Sequence, residues 1–565
     1  MIRLRGVRLE AGDRNAGAPL LDITDLSISS GEYVVLVGRN GAGKSLLLSV
    51  LASLRKPTAG EIIFDQTNQT ESPVGLLFQS PDDQIVGSTV ERDVAFGPEN
   101  LGVASAEIRA RVDDAIREAR LAGFERRAPH LMSEGEKQRL ALAGVLVLRP
   151  TLLLLDEPTA RLDPRNRDAL LDWIRRVRDE RGVTLIHVTH RSEELSEATR
   201  AIGLRQGRVE FDGSPEELLD SEAADSFGIR WSQLHRLRRL LRAQGVELPD
   251  ARGSEGDVEA TKALAASPGR VASTGSREVA SSTDASPAAL VRLRGVGWSA
   301  DDGTGSPRAI LSDIELEIRP GERLGITGPS GAGKTTLCSL LAGLLDPVAG
   351  TIEWTDSKSE RRAAPRAALA FQEPERGFFE ATVLEDVAFG PRNLGASESV
   401  ARDRAREALR TAGLDPDKFG QRVPETLSGG EARRAGIASV LSLGSRLVLL
   451  DEPGTGLDAD GLDRLRAILA DLHAQGVAFA VVSHDLPFLL EECDRLVVMD
   501  AGRIVADVDA SAAAVRETAL ASLGWQSELA PVIDALRATG KLSGDVAPTA
   551  EALLAALAPP FRGGE

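Results

Sequence analysis

A chain of 565 residues with 42% hydrophobic and 27% charged side chains has the length for two to four soluble globular domains. Its formal charge of −18 opposes binding to a polyanion such as nucleic acid, and its two cysteines, Cys338 and Cys493, exclude a disulfide framework and any four-cysteine metal or iron–sulfur site within one chain. No apolar run approaches the ~18 residues of a membrane-spanning helix, Leu140 to Leu148 being the longest candidate, and Met1 to Gly6 has no apolar signal core; the expectation is a protein made and kept in the cytoplasm.

Ile2-Arg3-Leu4-Arg5-Gly6-Val7 alternates as a strand does, and further strand structure is expected between Leu20 and Ile28. Tyr33-Val34-Val35-Leu36-Val37 suits a buried parallel strand. It runs into Gly38-Arg39-Asn40-Gly41-Ala42-Gly43-Lys44-Ser45, the G-x-x-x-x-G-K-[ST] pattern of a phosphate-binding loop, and then into the helix that begins Leu46-Leu47-Leu48. Inward-pointing backbone N–H groups and the helix dipole make such a loop an anion site. Lys44 supplies positive charge for the outer phosphates and Ser45 a hydroxyl for Mg²⁺.

Leu76-Leu77-Phe78-Gln79 reads as a strand that stops at a glutamine. Residues 106–122 are charged and helix-periodic, as in a solvated helical subdomain. Met132-Ser133-Glu134-Gly135-Glu136 opens another helix running to about Leu148. An aliphatic strand from Thr151 ends at Asp156-Glu157, and one from Val183 ends at Thr189-His190. Strands alternating with helices predict an α/β fold with a mostly parallel sheet.

The same order then returns. Gly328-Pro329-Ser330-Gly331-Ala332-Gly333-Lys334-Thr335 is a second phosphate loop. Lys44 and Lys334 are 290 residues apart, Gln79 and Gln372 293, Ser133 and Ser428 295, Asp156 and Asp451 295, His190 and His484 294. Matched features at a nearly constant offset mean a duplicated unit. The predicted organisation is a first domain over 1–250 with a C-terminal helical extension, a Gly/Ser/Ala-rich flexible linker over 251–289, and a second domain over 290–565 with its own helical extension. The basic run Leu234 to Arg242 reads as the solvated face of a helix.

Phosphoryl transfer to water needs a phosphate cradle, a metal, a group that orients the water, and positive potential at the γ-phosphate. Asp156 and Asp451, at strand ends, can hold Mg²⁺ together with Ser45 and Thr335. Glu157 and Glu452 can orient or deprotonate the attacking water. Gln79 and Gln372 can bridge metal and water through an amide, and His190 and His484 can hydrogen-bond the γ-phosphate.

The order of phosphate loop, glutamine, Leu427-Ser428-Gly429-Gly430-Glu431, Leu449-Leu450-Asp451-Glu452-Pro453 and Ser483-His484-Asp485 resembles the ATP-binding cassette family, and both halves match over most of their length. The resemblance implies ATP and Mg²⁺ as cofactors, and tandem phosphate-loop NTPase domains, each a mostly parallel core with an antiparallel β part and a helical subdomain. It implies a head-to-tail sandwich, which the long linker favours closing within one chain as a pseudo-dimer, the alternative being pairing across two chains. Gly38, Asn40, Gly41, Gly43, Lys44, Ser45, Gln79, Asp156, Glu157 and His190 would then face Ser428 and Gly430, while Gly328, Ser330, Gly331, Gly333, Lys334, Thr335, Gln372, Asp451, Glu452 and His484 would face Ser133 and Gly135. Asp163 and Asp458 match the family's D-loop.

Phe78-Gln79-Ser80-Pro81-Asp82-Asp83-Gln84 and the repeated Asp-Val-Ala-Phe-Gly-Pro stretches at Asp93 and Asp386 resemble the energy-coupling factor importers of vitamins, cobalt or nickel. That implies membrane and substrate-binding subunits docking between Gln79 and Gly102 and between Gln372 and Gly395, on the cytoplasmic face of a membrane, with no nucleic acid as partner. The competing readings are a soluble twin-cassette ATPase of translation or DNA repair and the fused ATPase of a sugar importer. Two departures stand out. Glu134 replaces the usual signature glycine, either facing a triphosphate or turned outward to Lys137, which predicts a slower second site. An adenine-stacking aromatic is missing near Glu10, Ala11 and Ala300, although Trp298 is close by.

Overall fold

The computed structural model describes residues 2–10, 19–64, 74–243, 289–301, 307–355, 364–372, 377–510, 528–538, 542, 549–550 and 553–554. Its two units are Met1–Ser232 and Gln233–Glu565. The strand Tyr33–Val37 is apolar throughout because both its faces are covered. Val34 and Leu36 enter one core cluster, while Tyr33, Val35 and Val37 enter another. Leu152–Asp156 divides in the same way, with Leu152 and Leu154 on one side and Leu153 and Leu155 on the other.

From edge to edge the six-stranded sheet of the first unit runs Val74–Leu77, Leu152–Asp156, Thr184–Val188, Tyr33–Val37, Arg200–Arg205, Arg208–Gly213. The first five strands are parallel and the last is antiparallel. An antiparallel three-stranded sheet, Leu21–Ile28, Ile2–Leu9, Ala59–Phe64, contributes Leu4, Val7, Leu21 and Ile23 to the core shared with the loop helix Lys44–Leu51. The opposite core takes in helices Val90–Asn100, Ser105–Glu118, Glu134–Leu146 and Pro164–Arg181. The second unit repeats both sheets: Ala367–Ala370, Leu447–Asp451, Ala478–Val482, Arg323–Thr327, Arg495–Asp500, Arg503–Asp509, and Pro307–Ile318, Val291–Asp301, Ala349–Trp354. The α/β architecture predicted from the alternation is the one found in both units.

Two differences have local causes. The expected helix 106–122 ends at Glu118, where Arg120 (φ 56°) and Gly123 (φ 90°) turn left-handed. The helix Gln233–Ala243, expected to extend the first domain up to residue 250, belongs to the second unit. Its stripe of Leu234, Leu237 and Leu241 needs an apolar cover. It finds one in Leu529, Val532, Ile533 and Leu536 of the C-terminal helix Ala530–Ala538 and the residue before it. Arg236 of the basic run pairs with Glu491 at 3.1 Å. The predicted linker lies outside the described residues, apart from Ala289. No helix among the described residues is long and apolar enough to cross a membrane.

Candidate nucleotide-binding sites

Both phosphate loops stand between a central strand and a buried helix, and their glycines are there for steric reasons. Gly38 and Gly328 have φ of 156° and 151°, and Gly41, Gly43, Gly331 and Gly333 lie between 81° and 102°. A Cβ on Gly38 would stand 2.5 Å from the Leu204 carbonyl oxygen, and one on Gly328 would collide with that of Met499. Backbone can therefore approach an anion here only in the absence of side chains. Asn40 is exposed and Ser330 half-buried at the crests of the two loops. Lys44 is buried and donates to the carbonyls of Gly38 (2.6 Å) and Arg39 (3.2 Å); Lys334 donates to Gly328 (2.8 Å) and Pro329 (2.9 Å).

The predicted acidic and imidazole groups converge on the same end of each sheet. Thr335 Oγ1 donates to Asp451 Oδ2 at 2.7 Å, and Ser45 makes the corresponding bond to Asp156. Burial pushes Asp156 up to about 6, against the Ser45 hydrogen bond, and raises Asp451 as well. Burial also lifts Glu452 to about 8, opposed by the Lys334 charge and reinforced by Asp451. His190 Nε2 stands 3.0 Å from Glu157 Oε1, and His484 Nε2 stands 3.3 Å from Glu452 Oε1. Gln79 Nε2 donates to Glu157 Oε2 at 3.2 Å. Gln372 is half-buried, and its backbone carbonyl accepts from Arg433 at 3.0 Å.

Ser133 and Ser428 cap the N-termini of helices Glu134–Leu146 and Gly429–Leu441, each in a reciprocal capping box with Glu136 or Glu431. Gly135 is buried in the first turn, with the Asn166 side chain filling the space a Cβ would take, and Gly430 holds the same position in the second helix. Asp163 and Asp458 are N-caps too, accepting from Asn166 N and Gly461 N at 2.9 Å. Of the two orientations open to Glu134, the structure has the outward one: Lys137 Nζ lies 3.3 Å from Glu134 and 2.8 Å from Asp82. Trp298 packs against the core opposite Leu311, and Ala11 lies outside the described residues.

Sequence reasoning missed three features. Glu157 and Glu452 have φ of 46° and 48°, left-handed values that an L-residue holds only when its surroundings compel it. Asp93 Oδ1 accepts from Val86 N (2.8 Å) and Gly87 N (2.7 Å), and Asp386 Oδ1 accepts from Phe379 N (3.0 Å) and Glu380 N (3.2 Å). Each buried aspartate thereby fixes the segment between the glutamine and the helical subdomain. The repetition of aspartate at the start of both Asp-Val-Ala-Phe-Gly-Pro stretches was the available signal. The third feature, a buried polar cluster around Glu194, is taken up below.

The residues fit a magnesium–nucleotide complex. The imidazole–carboxylate contacts at 3.0 and 3.3 Å are not aligned as hydrogen bonds, so both ring nitrogens of the buried His190, and Glu452 Oε1, lack one, an expensive condition that a phosphate or water would relieve. Among the described residues no three His, Cys, Asp or Glu converge as in an all-protein metal cage. A hydroxyl, an aspartate and a glutamine per unit suit Mg²⁺ shared with phosphate oxygens.

The sequence profile described as ABC transporter matches residues 21–160 and 311–455, one stretch per unit. A Bifidobacterium longum protein named as a putative ABC transporter ATP-binding protein is 32% identical over 525 residues, 85% of this chain; this chain spans only 63% of that protein's length. Another, from Caldanaerobacter subterraneus, is 31% identical over 517 residues, 88% of each chain. Among solved structures, cbiO1 of Clostridium perfringens, part of the ABC transporter complex cbiONQ, aligns at 28% identity over 39% of this chain and 89% of its own, with a TM-score of 0.34. With a family match in each unit and relatives similar across both, the chain belongs to the ATP-binding cassette family, as an ABC transporter ATP-binding protein and ATP hydrolase with two tandem cassettes.

Proposed function

We propose that this chain energises a membrane importer of the energy-coupling factor type, for a vitamin or a transition metal, from the cytoplasmic face. The observation that carries this reading is the surface beside each glutamine. The helices Val90–Asn100 and Val383–Asn393 share eight of their eleven residues, and both leave large apolar side chains in water nearby: Val86 (63% exposed), Phe96 (51%) and Leu101 (54%) in the first unit, Phe379 (64%) and Leu394 (36%) in the second. Grouped apolar exposure of this kind marks a protein or membrane contact. Its position after Gln79 and Gln372 links a docked subunit to the catalytic groups.

Each ATP is clamped between one unit's phosphate loop and the other unit's signature helix, within one chain. Lys44 and Lys334 exchange their loop carbonyls for the outer phosphates. Ser45, Asp156 and Gln79, and in the second unit Thr335, Asp451 and Gln372, would hold Mg²⁺, which when bound neutralises charge on the transferred phosphoryl group. Glu157 and Glu452 orient the attacking water and draw off its proton, and His190 and His484 hold the γ-phosphate. The capped N-termini at Ser133 and Ser428 offer backbone N–H groups to the other side of the nucleotide.

Co-purification from mild detergent tests the assignment. Small integral membrane proteins should come out with the chain, and Phe96→Asp with Phe379→Asp should release them while ATP binding persists. Recovery with ribosomes, DNA or a sugar-importer permease would overturn it.

A further inference from the structure

In the first unit one buried carboxylate grips both strand-end loops that carry the proposed catalytic pair. Glu194 is 1% exposed. Its Oε1 accepts from Thr159 Oγ1 at 2.7 Å, two residues after Glu157. Its Oε2 accepts from Thr189 Oγ1 at 2.6 Å, one residue before His190. The Thr189 hydroxyl also accepts from Arg191 N at 3.1 Å, which settles its orientation. Behind it, His187 Nε2 stands 3.4 Å from Glu194 Oε2, and Tyr33 Oη, on the strand that leads into the phosphate loop, lies 3.0 Å from His187 Nδ1. Burial holds His187 below its ordinary pKa, so it is a neutral partner rather than a counter-cation. Thr159, Thr189 and Glu194 thus form one hydrogen-bonded cluster sealed from water, and His187, bonded to Tyr33, packs beside it.

The second unit keeps only the hydroxyl: Thr189 corresponds to Ser483, which accepts from Asp485 N at 3.0 Å, and the rest of the cluster is replaced. Thr159 corresponds to Gly454, Glu194 to Phe488, His187 to Val481 and Tyr33 to Arg323. Phe488 and Val481 are buried in an apolar cluster. A buried carboxylate is a poor choice for stability, because apolar packing does the same job without desolvating charge. The second unit demonstrates that the fold permits the apolar solution. What the polar solution supplies is a fixed distance between two loops. His190, 4% exposed in its side chain, stands 3.0 Å from Glu157, whereas His484, 19% exposed, stands 3.3 Å from Glu452.

We propose that Glu194 is a positioning residue for hydrolysis at the first phosphate loop, holding Glu157 and His190 in register through Thr159 and Thr189. The proposal rests on the catalytic roles assigned above to Glu157 and His190, and touches neither nucleotide nor water directly.

The test uses the full chain with Glu452→Gln, so that turnover reports the first site. Adding Glu157→Gln must abolish the residual ATPase; if it does not, the assignment of roles fails and the proposal falls with it. If it does, Glu194→Ala and the shape-conserving Thr159→Val are measured next. The expected result is kcat lower by about tenfold or more with KM for ATP within about twofold, since misplacement of reacting groups acts on turnover rather than on binding. Glu194→Gln, which keeps the size and can still bond one hydroxyl, should recover part of the loss. Melting temperature and the shift produced by ATP are followed in parallel. Variants that melt lower but keep wild-type kcat below their transition would make Glu194 a structural residue only and overturn the proposal. Loss of kcat in proportion to loss of ATP binding would do the same.

Discussion

The two units share a sheet order, a loop conformation and left-handed glutamates, yet they support their reacting groups differently. The first ties Glu157 to Gln79 through a hydrogen bond and to His190 across a polar clamp. The second has buried Phe488 and Val481 where the first has Glu194 and His187, while each unit leaves a buried group at its site without a hydrogen bond, the His190 ring nitrogens in the first and Glu452 Oε1 in the second. Duplication kept the residues proposed to touch the nucleotide and let the layer behind them diverge. The lesson is that equal motifs do not guarantee equal turnover, because pre-organisation lies in that second layer.

The largest expected effect breaks this comparison outright. Glu157→Gln should remove most of the ATPase of the full chain, by about 100-fold or more at its own site, while Glu452→Gln should leave a substantial remainder. Steady-state phosphate release from the two single variants and the double variant decides it. Equal losses would mean that both sites run at the same rate despite their different supports.

Next comes Gly328→Ala. The methyl would meet the Met499 carbonyl oxygen, and φ of 151° is unfavourable for alanine. ATP affinity at the second site should fall by about tenfold or more, read as loss of one equivalent in equilibrium binding, with a lower melting temperature for that unit.

These first two effects were readable from sequence because their chemistry is local. A phosphate loop, an aspartate–glutamate step and a strand-end histidine are contiguous patterns, and the offset near 294 exposed their pairing. What stayed hidden joins distant stretches. Tyr33, Thr159, His187 and Glu194 meet only because the sheet sets Tyr33–Val37 beside Thr184–Val188 and Thr184–Val188 beside Leu152–Asp156. The helix Gln233–Ala243 announced by its leucine stripe that it needed a partner, but periodicity cannot name one nearly 300 residues away, and nearness along the chain pointed to the wrong unit. Glu134 lay between these extremes: Lys137, three positions on, was visible as an ion-pair partner, and Asp82 on the other side was not.

A smaller effect sharpens the comparison, because here the units agree. Asp93→Ala deletes both bonds to Val86 N and Gly87 N and should destabilise the first unit by roughly 2–4 kcal/mol, measured by denaturant titration. Asp93→Asn keeps an oxygen that can accept from both amides and should lose far less. Burial raises the native carboxyl of Asp93 above its unfolded value, so between those two values the native state holds more proton than the unfolded state. That contribution to stability is present at low pH and declines as pH rises through the window. Asp93→Asn removes the decline, so its small loss relative to the parent should shrink as pH rises through that window. Asp386→Asn should repeat the pattern in the second unit, where burial again raises the carboxyl.

The smallest effect concerns Glu134, the substituted signature position. Uncompensated, its charge beside a triphosphate would slow the second site by like-charge repulsion. Lys137 contacts both Glu134 and Asp82, and it corresponds to Ala432 in the unit whose signature has glycine at that place. Carboxylate and ammonium therefore read as a matched pair, present or absent together. Glu134→Gly alone should change ATPase by no more than about twofold, because the neutralised charge contributes little once paired. Lys137→Met leaves two carboxylates without their cation and should slow the second site further, an effect that weakens as salt screens the repulsion. Turnover of Lys137→Met in the Glu157→Gln background, at low and high ionic strength, isolates this term. If Lys137→Met proved silent there while Glu134→Gly accelerated turnover several-fold, the carboxylate would be acting on the nucleotide despite its lysine, and the outward orientation would not be the working one.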